Sequence, residues 1–142
     1  MYNAVNERVQ VEFGLDSVTI QKFISGIKGG RILTIDNDYP NDVVLAGHVI
    51  ITDGNGTYKP MPLSLVAATE TVPAHYAYAS LPNGYAYAGI LYRSLSTKKP
   101  AASIMTIGQV NSECVPYPMT TILSAFKAAC PHIEFIKDEE AL

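Results

Sequence analysis

The sequence is short of charged residues and of long apolar runs, and each shortage excludes a class of protein. Only 16% of its 142 residues are charged, against about 25% in an average soluble domain. No apolar run approaches the ~20 residues that a membrane-spanning helix needs, so we expect a soluble chain with no membrane partner. The first residues lack a basic stretch followed by an apolar core, and a secretory signal is therefore not expected.

Cysteine is also scarce, which excludes a disulfide-stapled fold. Cys114 and Cys130 are the only two, and they lack the CxxC or Cys/His spacing of a zinc site. We predict two free, partly buried thiols, because a free cysteine behaves as a small hydrophobic residue. Whether the two pair with each other stays open.

The charge balance argues against nucleic acid as a partner. The net charge is -3, and the ten basic residues are scattered along the chain, whereas phosphate binding is driven by clustered Lys and Arg. A chain of this length fits one domain that can bury a core without staples. The low charge favours a subunit of an oligomer or of a lattice over a solitary monomer.

No residue pattern indicates catalysis, a metal or a cofactor. A glycine-rich phosphate loop, a paired-histidine motif and a nucleophile elbow are all absent from the sequence. His48, His75 and His132 are predicted to be core or surface residues, and no signature supports a thiol and imidazole pair between His132 and a cysteine. We therefore expect a protein that is not an enzyme and needs no cofactor.

The one cluster of carboxylates lies in residues 36–42. Asp36, Asp38 and Asp42 are spaced as closely as the ligands of a metal site. A calcium loop between two helices, however, requires Gly at its sixth position and Glu at its twelfth, where this segment has Asn41 and Gly47. We interpret the segment as a turn-rich loop.

Residues 1–14 are predicted to form an extended arm. Val9, Val11 and Phe13 alternate with polar residues, which puts their apolar side chains on one face of an extended segment. Residues 15–142 are then expected to form a single β-rich domain.

The segment of residues 17–27 has two competing interpretations. Its apolar spacing is helical, and Gly29-Gly30 would end a helix. The residues at 18–20 are all β-branched and favour a strand instead. A short helix is the first expectation and a strand is the alternative.

Short apolar segments between turn residues predict the strands of the domain. Residues 90–95 and 102–107 flank a polar connection that ends at Pro100, which indicates strand, connection and strand. Further strands are expected at residues 31–35, 43–52 and 132–137. Asp53-Gly54-Asn55-Gly56 predicts a hairpin, because two glycines beside Asp and Asn supply positive φ.

A second hairpin is predicted over residues 76–88, with residues 81–84 as its loop. That register would place Tyr76, Tyr78, Tyr85 and Tyr87 on one face and alanines on the other. Such a face suits core or subunit packing, and a sugar-binding platform is the competing interpretation.

The strongest helix signal lies near the C-terminus. Ile122, Leu123, Phe126 and Ala129 fall on one helical face, Thr120 or Thr121 is the predicted N-cap, and the chain reaches a proline beyond the end. Ile122 and Phe126 join the four tyrosines as candidates for trimer or core packing.

The order of short motifs in residues 45–137 resembles the head decoration proteins of tailed bacteriophages. The resemblance does not extend well to the first forty-odd residues. It rests on Gly89-Ile90-Leu91, Lys99-Pro100-Ala101, the strand after it, Gly108-Gln109-Val110-Asn111, the helix and last strand, and the earlier segments at residues 46–51 and 58–62.

The residues themselves predict a compact, mainly β (α+β) domain of short strands with one helix near the C-terminus, which we expect to be barrel-like or tulip-like. The resemblance implies a virion protein on the outer capsid surface that sits as a homotrimer and cements neighbouring major capsid protein subunits. The arm, through Val9, Val11 and Phe13, would add a strand to the capsid protein. The alternative is a head fibre or glycan-binding domain that uses the tyrosine face.

Overall fold

The computed structural model describes residues 16–136, which fold into a mainly β structure with one helix near its C-terminal end, as predicted. A four-residue helical turn precedes the first strand. The elements are α1 (Asp16–Thr19), β1 (Ile20–Gly26), β2 (Arg31–Ile32), β3 (Val43–Val44), β4 (Val49–Thr52), β5 (Tyr58–Pro60), β6 (Leu63–Val66), β7 (His75–Tyr78), β8 (Ala86–Leu91), β9 (Leu95–Ser96), β10 (Ala101–Ala102), β11 (Ile104–Asn111), α2 (Leu123–Ala129) and β12 (Ile133–Ile136).

A six-stranded sheet forms the centre of the fold, with β11 as its axis. The order is β1-β11-β8-β4-β5, and β12 also pairs with β11. β1 runs antiparallel along one edge of β11, while β8 and β12 share the other edge. β12 is parallel to β11, and the remaining pairs are antiparallel. The two end strands, β1 and β5, do not pair, so the expected barrel is not closed.

The middle strands of the central sheet, β4, β8 and β11, are buried on both faces, which accounts for their nearly continuous apolar sequence. Ile90 points into a core on one face, and its neighbour Leu91 points into a second core on the other. The same alternation holds for Ile51 and Ile50 on β4. The first core is covered by α2 and the segment before it, and the second by the ribbons β2–β10 and β3–β9.

Two predicted strands are each divided by a turn, and the turns contact each other. Residues 43–52 form β3 and β4, separated at Gly47, whose φ is +92°. Residues 90–95 are divided between β8 and β9, and there the Ser94 hydroxyl accepts a hydrogen bond from the Ala46 amide at 2.7 Å. The predicted strand over residues 31–35 is shorter, because only Arg31–Ile32 pairs as a strand, followed by a bridge from Leu33 to Tyr58.

The hairpin at residues 53–56 is confirmed. β4 and β5 pair antiparallel, with Thr52 opposite Tyr58. The Asp53 carboxylate accepts hydrogen bonds from the amides of Asn55 and Thr57, at 2.8 and 3.2 Å, and Gly54 and Gly56 both have positive φ.

The predicted helix over residues 17–27 is wrong, and the alternative strand is right. The helical turn ends at Thr19 and β1 follows, paired with β11 through several register shifts. Ladder pairing with β11 overrides the helical spacing, in keeping with the β-branched residues at 18–20. Gly26 suits this packing, because a Cβ there would meet the Ile104 carbonyl oxygen.

The predicted tyrosine hairpin over residues 76–88 is also wrong. β7 pairs with β6, with Tyr78 opposite Leu63, and β8 pairs with β4 and β11. Residues 81–84 form a turn that redirects the chain instead of closing a hairpin, and the Tyr85 amide donates to the Pro82 carbonyl within it. The four tyrosines are therefore not aligned by one two-stranded register.

The C-terminal helix is confirmed, but its predicted cap is wrong. α2 begins after Ile122, which occupies the N-cap position and makes no side-chain capping bond, so neither threonine caps it. Ile122 and Phe126 are buried while Ala129 is exposed, which makes the apolar face narrower than predicted. The closing strand is confirmed as β12.

No helix within residues 16–136 is long and apolar enough to cross a membrane. The predicted arm, with Val9, Val11 and Phe13, lies outside the described residues.

Candidate functional site

Four aromatic side chains, two of them buried and two half-buried, form a cluster beside the start of β4. Tyr39, His48, Tyr78 and Tyr117 make up this aromatic cluster. The His48 ring lies edge to face against Tyr78 and Tyr117, with centroid distances of 5.3 and 5.6 Å, and Tyr39 lies 6.0 Å away. Edge-to-face packing brings positive ring edges onto negative ring faces, so the cluster joins the 36–42 loop, the β6–β7 hairpin and the segment before α2.

Hydrogen bonds fix His48 in one tautomer. Its Nδ1 lies 2.9 Å from the Val49 carbonyl oxygen, which can only accept, so Nδ1 carries the proton. The His48 ring is fully buried, and this burial lowers its pKa from 6.5 to about 4. His48 is therefore a neutral core histidine, one of the two roles expected of it.

Two tyrosine hydroxyls of the aromatic cluster accept hydrogen bonds from other parts of the chain. The Tyr78 hydroxyl accepts from the Val49 amide at 3.1 Å, and the Tyr117 hydroxyl accepts from the Asn41 side chain at 2.8 Å. Burial raises the pKa of Tyr39, Tyr78 and Tyr117 above the ordinary value. None of the three is prepared to act as a base, since each keeps its proton more firmly than a solvated tyrosine.

A shallow open groove lies between α2 and the turn that follows β7, and we call it the helix groove. Three residues predicted from sequence, Tyr78, Tyr87 and Ile122, line it together with Leu81 and Thr121. Its lining is half apolar and lacks an ionised side chain, so it offers packing surface and no reactive group.

The remaining predicted contact residues are dispersed. Phe126 is fully buried between Tyr87 and Phe135, at centroid distances of 5.5 and 5.7 Å, and is a core residue. Tyr76 is exposed near the root of the β6–β7 hairpin, and Tyr85 carries the Lys59 ammonium 4.6 Å above its ring. A flat four-tyrosine platform for sugar stacking is therefore not formed.

The cysteines are free, and Cys130 is poorly suited to nucleophilic chemistry. Its thiol is buried and donates to the Tyr87 carbonyl at 3.8 Å, and burial raises its pKa. A nucleophilic cysteine needs the opposite, a thiolate stabilised by a nearby cation. Cys114 is half-buried in the turn after β11.

The carboxylates of the 36–42 loop do not converge on a metal site. Asp36 instead forms an ion pair with Lys59 at 3.3 Å. Across residues 16–136, no three His, Cys, Asp or Glu side chains are grouped so that they could hold a metal ion.

The most distinctive surface is the hairpin made by β6 and β7. It is attached to the body at its root, where Tyr78 is buried and the Ala79 amide donates to the Pro62 carbonyl at 2.8 Å. Beyond the root every residue from 64 to 76 is exposed. Its exposed large apolar side chains are Leu65, which is 63% exposed, Val66, Val72 and Tyr76.

Strand β1 is the second exposed apolar element. Residues 21–25 are all exposed, so both faces of the strand are open and only one edge is paired. Ile24 is 55% exposed, and Phe23 remains largely exposed although its ring contacts Tyr92 at a centroid distance of 4.5 Å.

The sequence prediction missed both exposed elements. β1 was expected to bury its apolar residues as a helix face, and residues 63–75 were not assigned a role. A signal was present, because residues 63–78 contain a single charged residue, Glu70. A stretch of this length with so little charge indicates either a buried core segment or a contact surface.

We compared the chain with protein-family models, with curated proteins and with solved structures, and none of the three comparisons finds a match.

Proposed function

We propose that this protein is a capsid decoration protein that binds the outer surface of a bacteriophage head. It would act as a homotrimer that cements neighbouring major capsid protein subunits. The observation that carries the proposal is the pair of exposed apolar elements, β1 and the β6–β7 hairpin, on a surface with little charge. Exposed apolar surface of this kind is typical of protein interaction sites.

The fold is compatible with an adhesive role. The middle strands β4, β8 and β11 are buried on both faces and make a rigid support, while β1 lies at the edge of that sheet and the β6–β7 hairpin lies outside it. Two of the motifs that resemble phage decoration proteins, at residues 89–91 and 108–111, fall on β8 and β11 in the middle of that support. Modest contacts at each site suffice in such a role, because many equivalent sites on one particle give avidity.

The chemistry of the described residues supports binding better than catalysis. Within residues 16–136 the buried titratable groups are neutral, and the helix groove carries no ionised side chain. The sugar-binding alternative depended on a four-tyrosine platform, and Tyr78 is in the core instead. That alternative therefore has no observation in its favour.

Co-sedimentation with expanded capsids of the phage that encodes the chain tests the proposal. We expect the protein to pellet with capsids and to remain in solution without them. A protein that stays in solution at every concentration of capsid would overturn the proposal.

Light scattering on purified protein tests the trimer separately. We expect a mass of three chains, either in solution or after release from particles. A monomeric mass in both preparations would overturn the trimer while leaving capsid binding intact.

A further inference from the structure

The middle of β1 gains little burial from its own chain, although Ile20 at its start lies in the core and the Phe23 ring contacts Tyr92. Its paired edge contacts β11, but the side chains at 21–25 are exposed on both faces. Strands are normally stabilised by packing at least one face on another layer. Ile24, which is 55% exposed, is therefore available to a partner.

The β6–β7 hairpin is in the same situation. Leu65 lies directly opposite Tyr76 in the register, so these two side chains share one face. Both are exposed, with Val66 and Val72 nearby. A two-stranded hairpin is marginally stable in water, and covering its apolar face would hold it in place.

The two elements are complementary in charge. Residues 20–35 carry Lys22, Lys28 and Arg31 and no carboxylate, whereas residues 63–78 carry Glu70 and no Lys or Arg. Glu70 lies in the tip of the hairpin, where the Thr69 amide donates to the Val72 carbonyl at 2.8 Å. An acidic apolar hairpin and a basic apolar strand thus occur on the same chain.

The contact would be made by side chains and not by a new ladder. β1 has register shifts at three points along its pairing with β11, and bulges of this kind disfavour continuous strand addition. Its apolar side chains remain open, so packing against a partner's face is the compatible mode.

We propose that the β6–β7 hairpin of one copy packs on β1 of the next copy, with Leu65 and Tyr76 against Ile24. Two different surfaces of one chain then meet, which is a heterologous contact. Such a contact builds a ring when the rotation between copies closes and a filament when it does not. That the ring closes at three copies rests on the proposed function. The contact itself identifies the two surfaces that would hold the trimer together.

Cross-linking between two differently tagged copies tests this contact. One copy carries Ile24→Cys and the other Leu65→Cys, both in a Cys114→Ser background that retains the buried Cys130. After mixing with a short bismaleimide we expect the 24–65 product to dominate, and the double variant to yield covalently closed rings. The parent without new thiols and a Ser124→Cys copy, whose thiol lies on the exposed side of α2, are the controls.

The experiment is done in concentrated solution and on capsids. The proposal fails if the products are only 24–24 or 65–65, if residue 65 links only to capsid protein, or if residues 24 and 65 link only within one chain. It also fails if no mixed product forms under either condition. A mixed product without capsid binding would refute only the proposed function, and capsid binding without a mixed product would refute only this contact.

Discussion

The rings of His48 and Tyr78 meet edge to face, with centroids 5.3 Å apart and planes inclined by 85°. Tyr78 lies at the root of the β6–β7 hairpin and His48 ends the turn that leads into β4, so this pair links the exposed hairpin to the central sheet. The Val49 backbone binds both side chains, since its carbonyl accepts from His48 and its amide donates to the Tyr78 hydroxyl.

Acid should destabilise the protein through His48. The folded state holds the pKa of His48 at about 4, below the ordinary 6.5, so the unfolded chain takes up a proton that the folded chain refuses. Stability from this residue is complete above pH 6.5 and is lost as the pH falls toward 4, by at most about 3 kcal/mol. Denaturant unfolding between pH 7 and pH 4 measures the loss.

The matched pair for that experiment is His48→Gln and His132→Gln. His132 lies at the surface, so its replacement is the control for the same change of residue type outside the core. The His48→Gln protein should lose less stability on acidification than the parent does. An unchanged slope of stability against pH in the His48→Gln protein would contradict the assignment.

Truncating Phe126 should damage the fold. Its ring is fully buried between Tyr87 and Phe135, and we expect Phe126→Ala to lower the free energy of unfolding by about 3–5 kcal/mol. Lys127→Ala, on the exposed next position, should stay within about 0.5 kcal/mol of the parent. Equal stability of the two variants would show that Phe126 is a contact residue and not part of the core.

Gly89 should tolerate no side chain. A Cβ at this position would meet the Met105 carbonyl oxygen across the β8–β11 pair, so the strands would have to separate. We expect Gly89→Ala to cost about 1–3 kcal/mol in unfolding free energy. The control is Ala86→Ser, at an exposed position of the same strand; if thermal unfolding gives the same midpoint for both variants, the close approach is absent.

Removal of residues 1–14 should abolish capsid binding and leave the fold intact. The alternation of Val9, Val11 and Phe13 is the sequence pattern from which we predict strand addition to the capsid protein. Circular dichroism and co-sedimentation of the truncated and full chains measure the two effects separately. Undiminished binding by the truncated chain would rule out the arm as the attachment element.

Local signals in the sequence predicted those elements that depend on nearby residues. The turn at residues 53–56 was predicted because Asp53 and two glycines define it without help from the rest of the chain. The helix near Phe126 and the strand at β12 were predicted from periodicity in the same way. The N-cap of that helix was not predicted, because Ile122 is held there by core packing and not by a polar side chain.

Elements whose partner lies far along the chain were harder to predict. Tyrosine and alanine do alternate in residues 76–88, but β7 pairs with β6 and not with β8. Alternation does not determine which strand becomes the partner. The apolar residues of β1 have a helical spacing in the sequence, but pairing with β11 determines that the segment is a strand. The candidate contact surface was missed for the same reason, since exposure of Ile24 and Leu65 depends on what the fold leaves uncovered.

The place of β11 in the sheet has a consequence for the synthesis of the protein. One half of its second edge is filled by β12, and residues 133–136 leave the ribosome long after β11 itself. A nascent chain that has emerged only as far as α2 therefore carries an open strand edge, which is a template for aggregation. We expect completion of the sheet to follow translation of Ile136, and folding to be slow compared with that of helical chains of similar length.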